Sequence, residues 1–184
     1  MRLETDLRKI KKMAKKKENE NWAFRGYLKG KGSEEIDPIV HRLYEEVSAQ
    51  IDCTTCGNCC KEVSPVLSPK DIEVFSEGLG MPVSEFKPLH LTVDMGDTIF
   101  NQRPCPFLKD NKCSNYDHRP ANCQSYPHLH KDDFTTRLFG VLNNYGICPI
   151  VFNVYEQLKD EVWSHHQRKP FNRSNKKRSR RRRR

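Results

Sequence analysis

Apolar residues recur at helical spacing near the N-terminus of the chain. Basic residues surround a stripe formed by Leu3, Leu7, Ile10, Met13 and Ala14. This spacing predicts an amphipathic helix. We expect the helix to dock on the body of the protein, because its stripe has no strong aromatic anchor for a membrane surface. Membrane-surface binding and nucleic-acid binding are the alternatives.

Three further segments of the first half carry boundary signals. Residues 18–33 are polar and contain glycines, which predicts a linker. Asp37 followed by Pro38 has the form of an N-cap and first helical turn, and the apolar residues after it predict a helix that leads to the first cysteine. Ser68 and Asp71 resemble a capping box, which predicts another helix that ends at one of the glycines near position 80.

Short strands and two more helices are predicted further along the chain. Residues 89–93 and 98–102 read as strands around a turn at Gly96, and residues 134–142 alternate imperfectly as a third strand. Between them, Asp110 and Asn111 favour a tight turn that could return Cys113 beside Cys105. Pro120 and Pro149 can each begin a helix.

The composition adds a constraint on the core. The chain has 184 residues, of which 35% are hydrophobic and 31% are charged, so a single core has little apolar surface to bury. Metal crosslinks could supply the missing stability. We therefore expect an α+β fold, with three or four helices and a few short strands in a small metal-stapled domain over residues 34–166. A basic helix and linker (1–33) and a disordered basic tail (167–184) flank it.

The net charge of +9 lies at the two ends of the chain. Residues 1–17 carry +6 and residues 176–184 carry +8, which leaves −5 for residues 18–175. The body is therefore acidic, and the termini are the candidates for anionic partners. The tail could bind nucleic acid or another polyanion non-specifically through Arg180, Arg181, Arg182, Arg183 and Arg184.

The sequence carries no recognisable signal for export or membrane insertion. The N-terminus lacks an apolar stretch of signal-peptide length, and no window approaches the roughly 20 apolar residues of a membrane span. We therefore expect a cytoplasmic protein with no membrane span. Eight cysteines in a reducing cytosol are better explained by metal ligation or redox chemistry than by disulfides.

Four cysteines lie within eight residues, as Cys53, Cys56, Cys59 and Cys60. A C-x2-C unit lets two sulfurs converge on one ion, and Gly57 with Asn58 allows the tight turn that this needs. Adjacent side chains point apart in an extended chain, so we expect Cys59 and Cys60 to serve different centres, or one of them to bind no metal. The remaining cysteines are Cys105, Cys113, Cys123 and Cys148.

The set of eight thiols allows two four-thiolate zinc sites, or one four-cysteine iron–sulfur cluster with spare thiols. Two histidines, His128 and His130, could supply imidazole to the metal or hydrogen-bond its ligands. Arg119 could compensate the negative charge of the thiolates or form a structural salt bridge.

The cysteine pattern resembles that of a known family. The complete C-x2-C-x2-C-C run, the Cys105-Pro106-Phe107-Leu108 segment that leads to Cys113, and the stretch from Tyr116 through Cys123 to Tyr126-Pro127 are similar to the CxxCxxCC family of YkgJ-like cysteine cluster proteins. The resemblance covers about residues 50–150. It implies chelation of zinc or iron with the cysteines as ligands.

The resemblance leaves the activity open. A similar cysteine motif occurs in flagellin lysine methylases, but this chain shows no glycine-rich loop after a clear strand that would cradle S-adenosylmethionine. The leading hypothesis is a metal-binding protein that holds zinc or an iron–sulfur cluster. The alternatives are an iron–sulfur-dependent redox or transferase enzyme, and a polyanion-binding protein with a structural metal site.

Overall fold

The computed structural model describes residues 3–163. Within this range the chain forms two compact units. We call residues 3–47 with 129–163 the helical unit, and residues 48–128 the cysteine unit. The predicted boundaries at positions 33 and 166 stay a prediction. The predicted tail, with Arg180, Arg181, Arg182, Arg183 and Arg184, lies outside the described residues.

The α+β class is confirmed, with more helices than the three or four expected. The described residues contain nine α-helices: α1 Leu7–Lys16, α2 Glu18–Leu28, α3 Ser33–Ser48, α4 Asn58–Glu62, α5 Pro69–Gly78, α6 Val83–His90, α7 Ala121–Gln124, α8 Leu138–Tyr145 and α9 Pro149–Val162. Three 3-10 helices are Cys53–Thr55, Tyr116–His118 and Phe134–Thr136. Two antiparallel hairpins pair β1 Leu91–Asp94 with β2 Asp97–Phe100, and β3 Leu108–Lys109 with β4 Lys112–Cys113.

Helix α1 is docked, as expected. The Asp6 carboxylate accepts hydrogen bonds from the backbone N–H groups of Arg8 and Lys9, and so begins the helix. Ile10 is completely buried. Just before the helix, the amide side chain of Asn153 in α9 exchanges two hydrogen bonds with the backbone of Glu4, at 3.0 and 2.8 Å. The helix is therefore held by its apolar stripe and by a polar contact at its start.

The prediction of a linker over residues 18–33 is wrong for most of that segment, which forms α2. Phe24 and Leu28 lie one helical turn apart and are both fully buried. Phe24 packs edge-on against Tyr155 of α9, with 5.1 Å between ring centroids. Burial of these side chains stabilises a helix that its polar composition did not reveal.

The predicted helix start at Asp37 and Pro38 is also wrong. Helix α3 begins at Ser33 and contains Pro38. Asp37 is buried, and its carboxylate accepts hydrogen bonds from the backbone N–H groups of Asp133 and Phe134 at 2.7 and 3.0 Å. Asp37 therefore caps a distant 3-10 helix instead of the helix in which it lies.

Residues 134–142 form no strand, contrary to the prediction. They form the 3-10 helix Phe134–Thr136 and the first part of α8. The buried apolar residues from position 134 to position 145 are Phe134, Leu138, Val141 and Tyr145, and their spacing of three to four residues is helical. The apparent alternation came from apolar residues outside this stripe, such as the exposed Phe139.

The boundary signals of the cysteine unit are confirmed. Ser68 and Asp71 form a reciprocal capping box at the start of α5, and Gly96 has a φ of +93° in the turn between β1 and β2. The core of this unit consists of Leu67, Ile72, Phe75, Phe86, Phe100 and Phe107. Pro120 stands at the start of α7, as predicted. In the helical unit, Pro149 likewise stands at the start of α9.

In residues 3–163, no single helix is long and apolar enough to cross a bilayer. Helices α8 and α9 satisfy the length and composition criteria only when taken together, and that pair is bent by 116°.

A buried lysine connects three parts of the helical unit. Lys159 of α9 is 1% exposed. Its ammonium donates hydrogen bonds to Glu20 at 2.9 Å, to Glu156 at 2.7 Å and to the side-chain oxygen of Asn21. Tyr145 donates to the same Glu156 oxygen at 2.8 Å. Because every carboxylate in this group has a cationic partner, the burial of these charges is compensated.

Replacing this cation should destabilise the helical unit strongly. The Lys159→Met variant keeps the length of the side chain but leaves the two carboxylates without their shared cation. We expect the free energy of unfolding to fall by about 3–5 kcal/mol, as measured by urea denaturation followed through tryptophan fluorescence. The control is Arg42→Met, which breaks an exposed ion pair with Glu161 and should change little. Equal effects of the two variants would contradict this account.

The same group makes the helical unit sensitive to acid. Burial by itself raises the pKa of Glu156, but Lys159 and Lys17 outweigh this effect, and the pKa lies below its ordinary value of 4.5. The contribution of this carboxylate to stability is therefore complete above pH 4.5 and is lost as the pH falls through its folded-state pKa. Urea midpoints measured at several pH values should fall more steeply below pH 4.5 in the natural chain than in Glu156→Gln.

Candidate metal centre

The cysteine run is folded into two short helical turns. Asp52 caps the 3-10 helix Cys53–Thr55 by accepting the backbone N–H of Thr54 at 2.9 Å. Gly57 then takes a left-handed conformation, with a φ of +60°, and α4 begins directly after it. Cys59 and Cys60 therefore lie on a helical turn, not in an extended chain, and this geometry lets their two thiols meet.

A second segment holds the cysteine run in place from outside. The backbone N–H of Cys105 donates to the carbonyl of Cys60 at 2.8 Å. The backbone of Gly57 lies so close to the β3–β4 turn that a Cβ atom at this position would be 2.7 Å from the carbonyl oxygen of Asn111. The Lys61 ammonium donates to the side-chain oxygen of Asn111 at 2.6 Å. These contacts fix the run beside the hairpin.

The β3–β4 hairpin returns Cys113 towards Cys105, as the Asp-Asn turn predicted. Asp110 and Asn111 both have positive φ angles, 48° and 62°, as in the tight turns that match the twist of paired strands. Both cysteines are partly buried and pack against the aromatic core of the unit. The apolar core therefore positions these two thiols.

Cys123 lies in α7, a short helix that is hydrogen-bonded to α5. The Asp71 carboxylate accepts the backbone N–H of Ala121 at 2.8 Å, and the Asn122 side chain donates to the carbonyl of Val66 at 3.0 Å. Asp71 thus serves two helices, since it also completes the capping box of its own helix. Two hydrogen bonds, one to the Asp71 side chain and one to the Val66 carbonyl, therefore hold the short helix that carries Cys123.

The thiols of the cysteine unit differ in how readily they ionise. A hydrogen bond from Cys59, together with the charges of Arg119 and Lys61, lowers the pKa of Cys60 to about 7. Burial raises the pKa of Cys105 to about 11 and that of Cys123 to about 12, and it also raises the pKa of Cys113. The negative charge of Cys60 contributes to all three increases. We call Cys60, Cys105, Cys113 and Cys123 the four-thiol group.

Arg119 supplies positive charge to the four-thiol group. Its guanidinium lies over the ring of Tyr116, with 3.4 Å from Cζ to the ring centroid, and its Nε donates to the Tyr116 carbonyl at 2.8 Å. Its positive charge favours the thiolate form of Cys60, Cys113 and Cys123. At Cys113 and Cys123 it opposes the larger increase in pKa that burial causes. Arg119 is therefore placed where charge compensation requires it, and a role in metal binding stays a prediction.

The other predicted residues occupy different positions. Cys53 is exposed and Cys56 is half-buried on the turn that precedes Gly57. Cys148 is buried in the helical unit, at the N-cap of α9. His128 is hydrogen-bonded to Ser125 in the cysteine unit, with 2.9 Å between Nδ1 and Oγ. The ring of His130 contacts that of Tyr44 in the helical unit, with 5.8 Å between centroids and a tilt of 40°.

No closed metal site is formed by the described side chains. All eight cysteines lie within residues 3–163, and none of them forms a disulfide. Within the same range, no group of three or more His, Cys, Asp or Glu side chains is arranged to hold a metal ion. The thiols of the four-thiol group thus influence one another's pKa, but in the described residues they are not arranged as metal ligands.

Three contacts at this site had no clear signal in the sequence. These are the hydrogen bond from Cys59 to Cys60, the bond from Lys61 to Asn111, and the stacking of Arg119 on Tyr116. Only the last could have been suspected, because the two residues are three positions apart. The other two depend on the helical turn of α4 and on the hairpin's position.

Residues 52–140 match the family model CxxCxxCC, which is described as a "putative zinc- or iron-chelating domain". The match to the CxxCxxCC domain covers a little under half of the chain and includes every cysteine except Cys148. Comparisons with curated proteins and with solved structures gave no match. The description of the CxxCxxCC domain supports metal binding and names neither one metal nor a physiological role.

The close approach of Gly57 to the hairpin can be tested with a matched pair of variants. Gly57 and Gly80 have similar positive φ angles, +60° and +64°, but a Cβ at Gly80 meets no atom within 4 Å. Gly80→Ala should therefore cost only the backbone strain of about 1–2 kcal/mol. Gly57→Ala should cost about 1–3 kcal/mol more, because it also displaces Asn111.

The measurement is the free energy of unfolding by circular dichroism, together with hydrogen exchange at the Cys105 amide. We expect faster exchange at this amide in Gly57→Ala only. Equal destabilisation by the two substitutions would show that the cysteine run is not held by the hairpin.

Proposed function

We propose that this chain is a metal-binding protein whose centre is held by the thiolates of Cys60, Cys105, Cys113 and Cys123. The observation that carries the proposal is the packing of the segments that hold these thiols: the backbone N–H of Cys105 donates to the Cys60 carbonyl at 2.8 Å, and the β3–β4 hairpin returns Cys113 towards Cys105. The charge of Cys60 also raises the pKa of the other three thiols, which agrees with this packing. The four thiols come from four separate segments, so their proximity is a product of the fold. Metal binding follows from the family description, and the choice of these four ligands is our inference.

The donor set suits a small number of metals. Four thiolates in one place are the ligands of structural zinc sites and of four-cysteine iron–sulfur clusters. A zinc ion would crosslink the four segments, whereas an iron–sulfur cluster would add the capacity to accept and donate an electron. Both fit a small apolar core that gains stability from crosslinks.

The protein's own groups would prepare the thiols for the metal. Cys60, with the lowest pKa of the group, is the first thiol to be deprotonated near neutral pH, and metals bind the thiolate form. The other three would release their protons as the metal binds. Arg119 would then offset part of the negative charge that four thiolates place around a divalent ion. Thiolate ligation requires reduced cysteines, so a reducing compartment such as the cytoplasm suits this function.

The rest of the cysteine run is available for a larger assembly. Cys59 already contacts Cys60 through its thiol, and Cys53 and Cys56 lie at the two ends of the preceding 3-10 helix. These three residues could serve a second centre. Metal stoichiometry distinguishes one centre from two.

Metal analysis of the full chain tests the proposal. We expect anaerobically purified protein to contain either stoichiometric zinc without sulfide, or iron with inorganic sulfide and absorbance near 400 nm. Cys60→Ser, Cys105→Ser, Cys113→Ser and Cys123→Ser should each lose most of the bound metal. In the natural chain, free metal at a hundredfold excess over its Kd should raise the free energy of unfolding by about 2.7 kcal/mol.

The control is Cys148→Ala, which removes the thiol at the start of α9. This variant should keep the full metal content, because its cysteine lies outside the four-thiol group. The proposal is wrong if the natural chain is stably folded with neither metal after anaerobic purification. It is also wrong if the four serine variants retain metal as well as the control does.

A further inference from the structure

Two exposed aromatic rings lie side by side on the helical unit. Trp22 of α2 is 42% exposed and Phe139 of α8 is 58% exposed. Their ring centroids are 6.4 Å apart, and the planes are tilted by 52°. The guanidinium of Arg25 lies 5.3 Å from the centre of the Trp22 ring. We call Trp22, Phe139 and Arg25 the aromatic platform.

The surface around the aromatic platform is open. Gly26 lies one helical turn after Trp22, and Gly140 directly follows Phe139. Both glycines are exposed, and a Cβ atom built on either would meet nothing within 4 Å. Neither position carries a side chain that could cover the rings, so a flat ligand could approach them.

Helix α1, which adjoins α2 in the chain, presents a row of cations. Its sequence from Leu7 to Lys16 contains no acidic residue, and its exposed residues are Arg8, Lys9, Lys11, Lys12, Lys15 and Lys16. Helices α1 and α2 pack against each other, and Ala14 of α1 lies beside Gly146 at the end of α8. The cationic row and the aromatic platform thus belong to the same three helices.

These two features together match the chemistry of a single-stranded nucleic acid. Exposed aromatic rings stack on bases, a neighbouring arginine adds cation–π attraction, and lysines attract the phosphates. A membrane surface fits less well, because the apolar stripe of α1 is used inside the protein: Ile10 is fully buried and Met13 is half-buried. We propose that α1 and the aromatic platform bind a single-stranded nucleic acid, with bases stacked on Trp22 and Phe139 and phosphates bound along α1.

This inference is independent of the metal centre, since it uses no residue of the cysteine unit. It also differs from polyanion binding by the C-terminal arginines, because stacking requires bases. The two tryptophans of the chain provide a local readout. Trp22 is exposed on the platform, whereas Trp163 is 3% exposed and stacks on Phe24.

The test uses the full chain and an oligothymidylate of about ten nucleotides, with tryptophan emission and affinity measured in parallel. We expect binding to quench the emission of the natural chain. Trp22→Phe should abolish the quenching while it preserves stacking. Trp22→Ala and Phe139→Ala should each weaken binding about tenfold. Inorganic polyphosphate, which has no bases, should bind without quenching.

The phosphate contacts are tested through the salt dependence of the affinity. Lys15→Gln with Lys16→Gln should reduce the slope of log K against log salt by about 1.4, because each phosphate that a lysine neutralises on a single strand contributes about 0.7 to the slope. The matched control is Lys70→Gln with Lys87→Gln, which removes two exposed lysines from helices of the cysteine unit and should leave the slope unchanged. The C-terminal arginines are present in every variant, so their contribution cancels.

Three results would overturn the proposal. One is saturated binding of oligothymidylate without any change in tryptophan emission. Another is equal quenching by polyphosphate. The third is an emission change that occurs with vesicles of anionic lipid and not with the oligonucleotide, which would assign the platform to a membrane surface.

Discussion

The cysteine unit depends on one constraint: the C-x2-C-x2-C-C run must lie against the hairpin that carries the next two cysteines. The hydrogen bond between the backbones of Cys105 and Cys60 sets this arrangement. The space for it exists because Gly57 has no side chain where the chain passes Asn111. Without this close approach, the thiols of Cys105 and Cys113 would not be near Cys60. The chemistry proposed for the site therefore rests on a backbone contact and a glycine.

The electrostatics of the site follow from that packing. Burial against the aromatic core makes the thiols of Cys105, Cys113 and Cys123 hard to ionise, and a neighbouring anion at Cys60 makes ionisation harder still. A group of thiols in this state gains a large stabilisation from a cation, because the metal replaces protons and compensates the charge that burial disfavours. Arg119 supplies only part of that charge. A metal ion would thus compensate the negative charge that these thiols acquire when they lose their protons to bind it.

Local signals in the sequence predicted local structure well. The capping box at Ser68, the turn at Asp110 and Asn111, and the helix start at Pro149 each depend on a few adjacent residues, and each is present in the structure. Two of the errors came from contacts distant in sequence. Asp37 caps a helix that begins near position 133, and residues 18–28 become helical because Phe24 and Leu28 are buried by other helices.

At the candidate site too, the sequence predicted local features better than long-range contacts. The spacing of the cysteines identified them as candidate ligands. It could not predict which four would form one group, because that depends on how α4, the β3–β4 hairpin and α7 pack. It also predicted Cys148 as a ligand; the structure places this residue at the N-cap of α9, and its role in metal binding stays a prediction. The spacing also separated Cys59 from Cys60, since it assumed an extended chain where the structure has a helical turn.

The most direct test of the central claim is X-ray absorption at the metal edge of the purified full chain. If Cys60, Cys105, Cys113 and Cys123 hold the metal, the inner shell will contain four sulfur atoms, at about 2.3 Å for zinc. An inner shell made mainly of nitrogen and oxygen would contradict the account, because no combination of the four-thiol group could produce it.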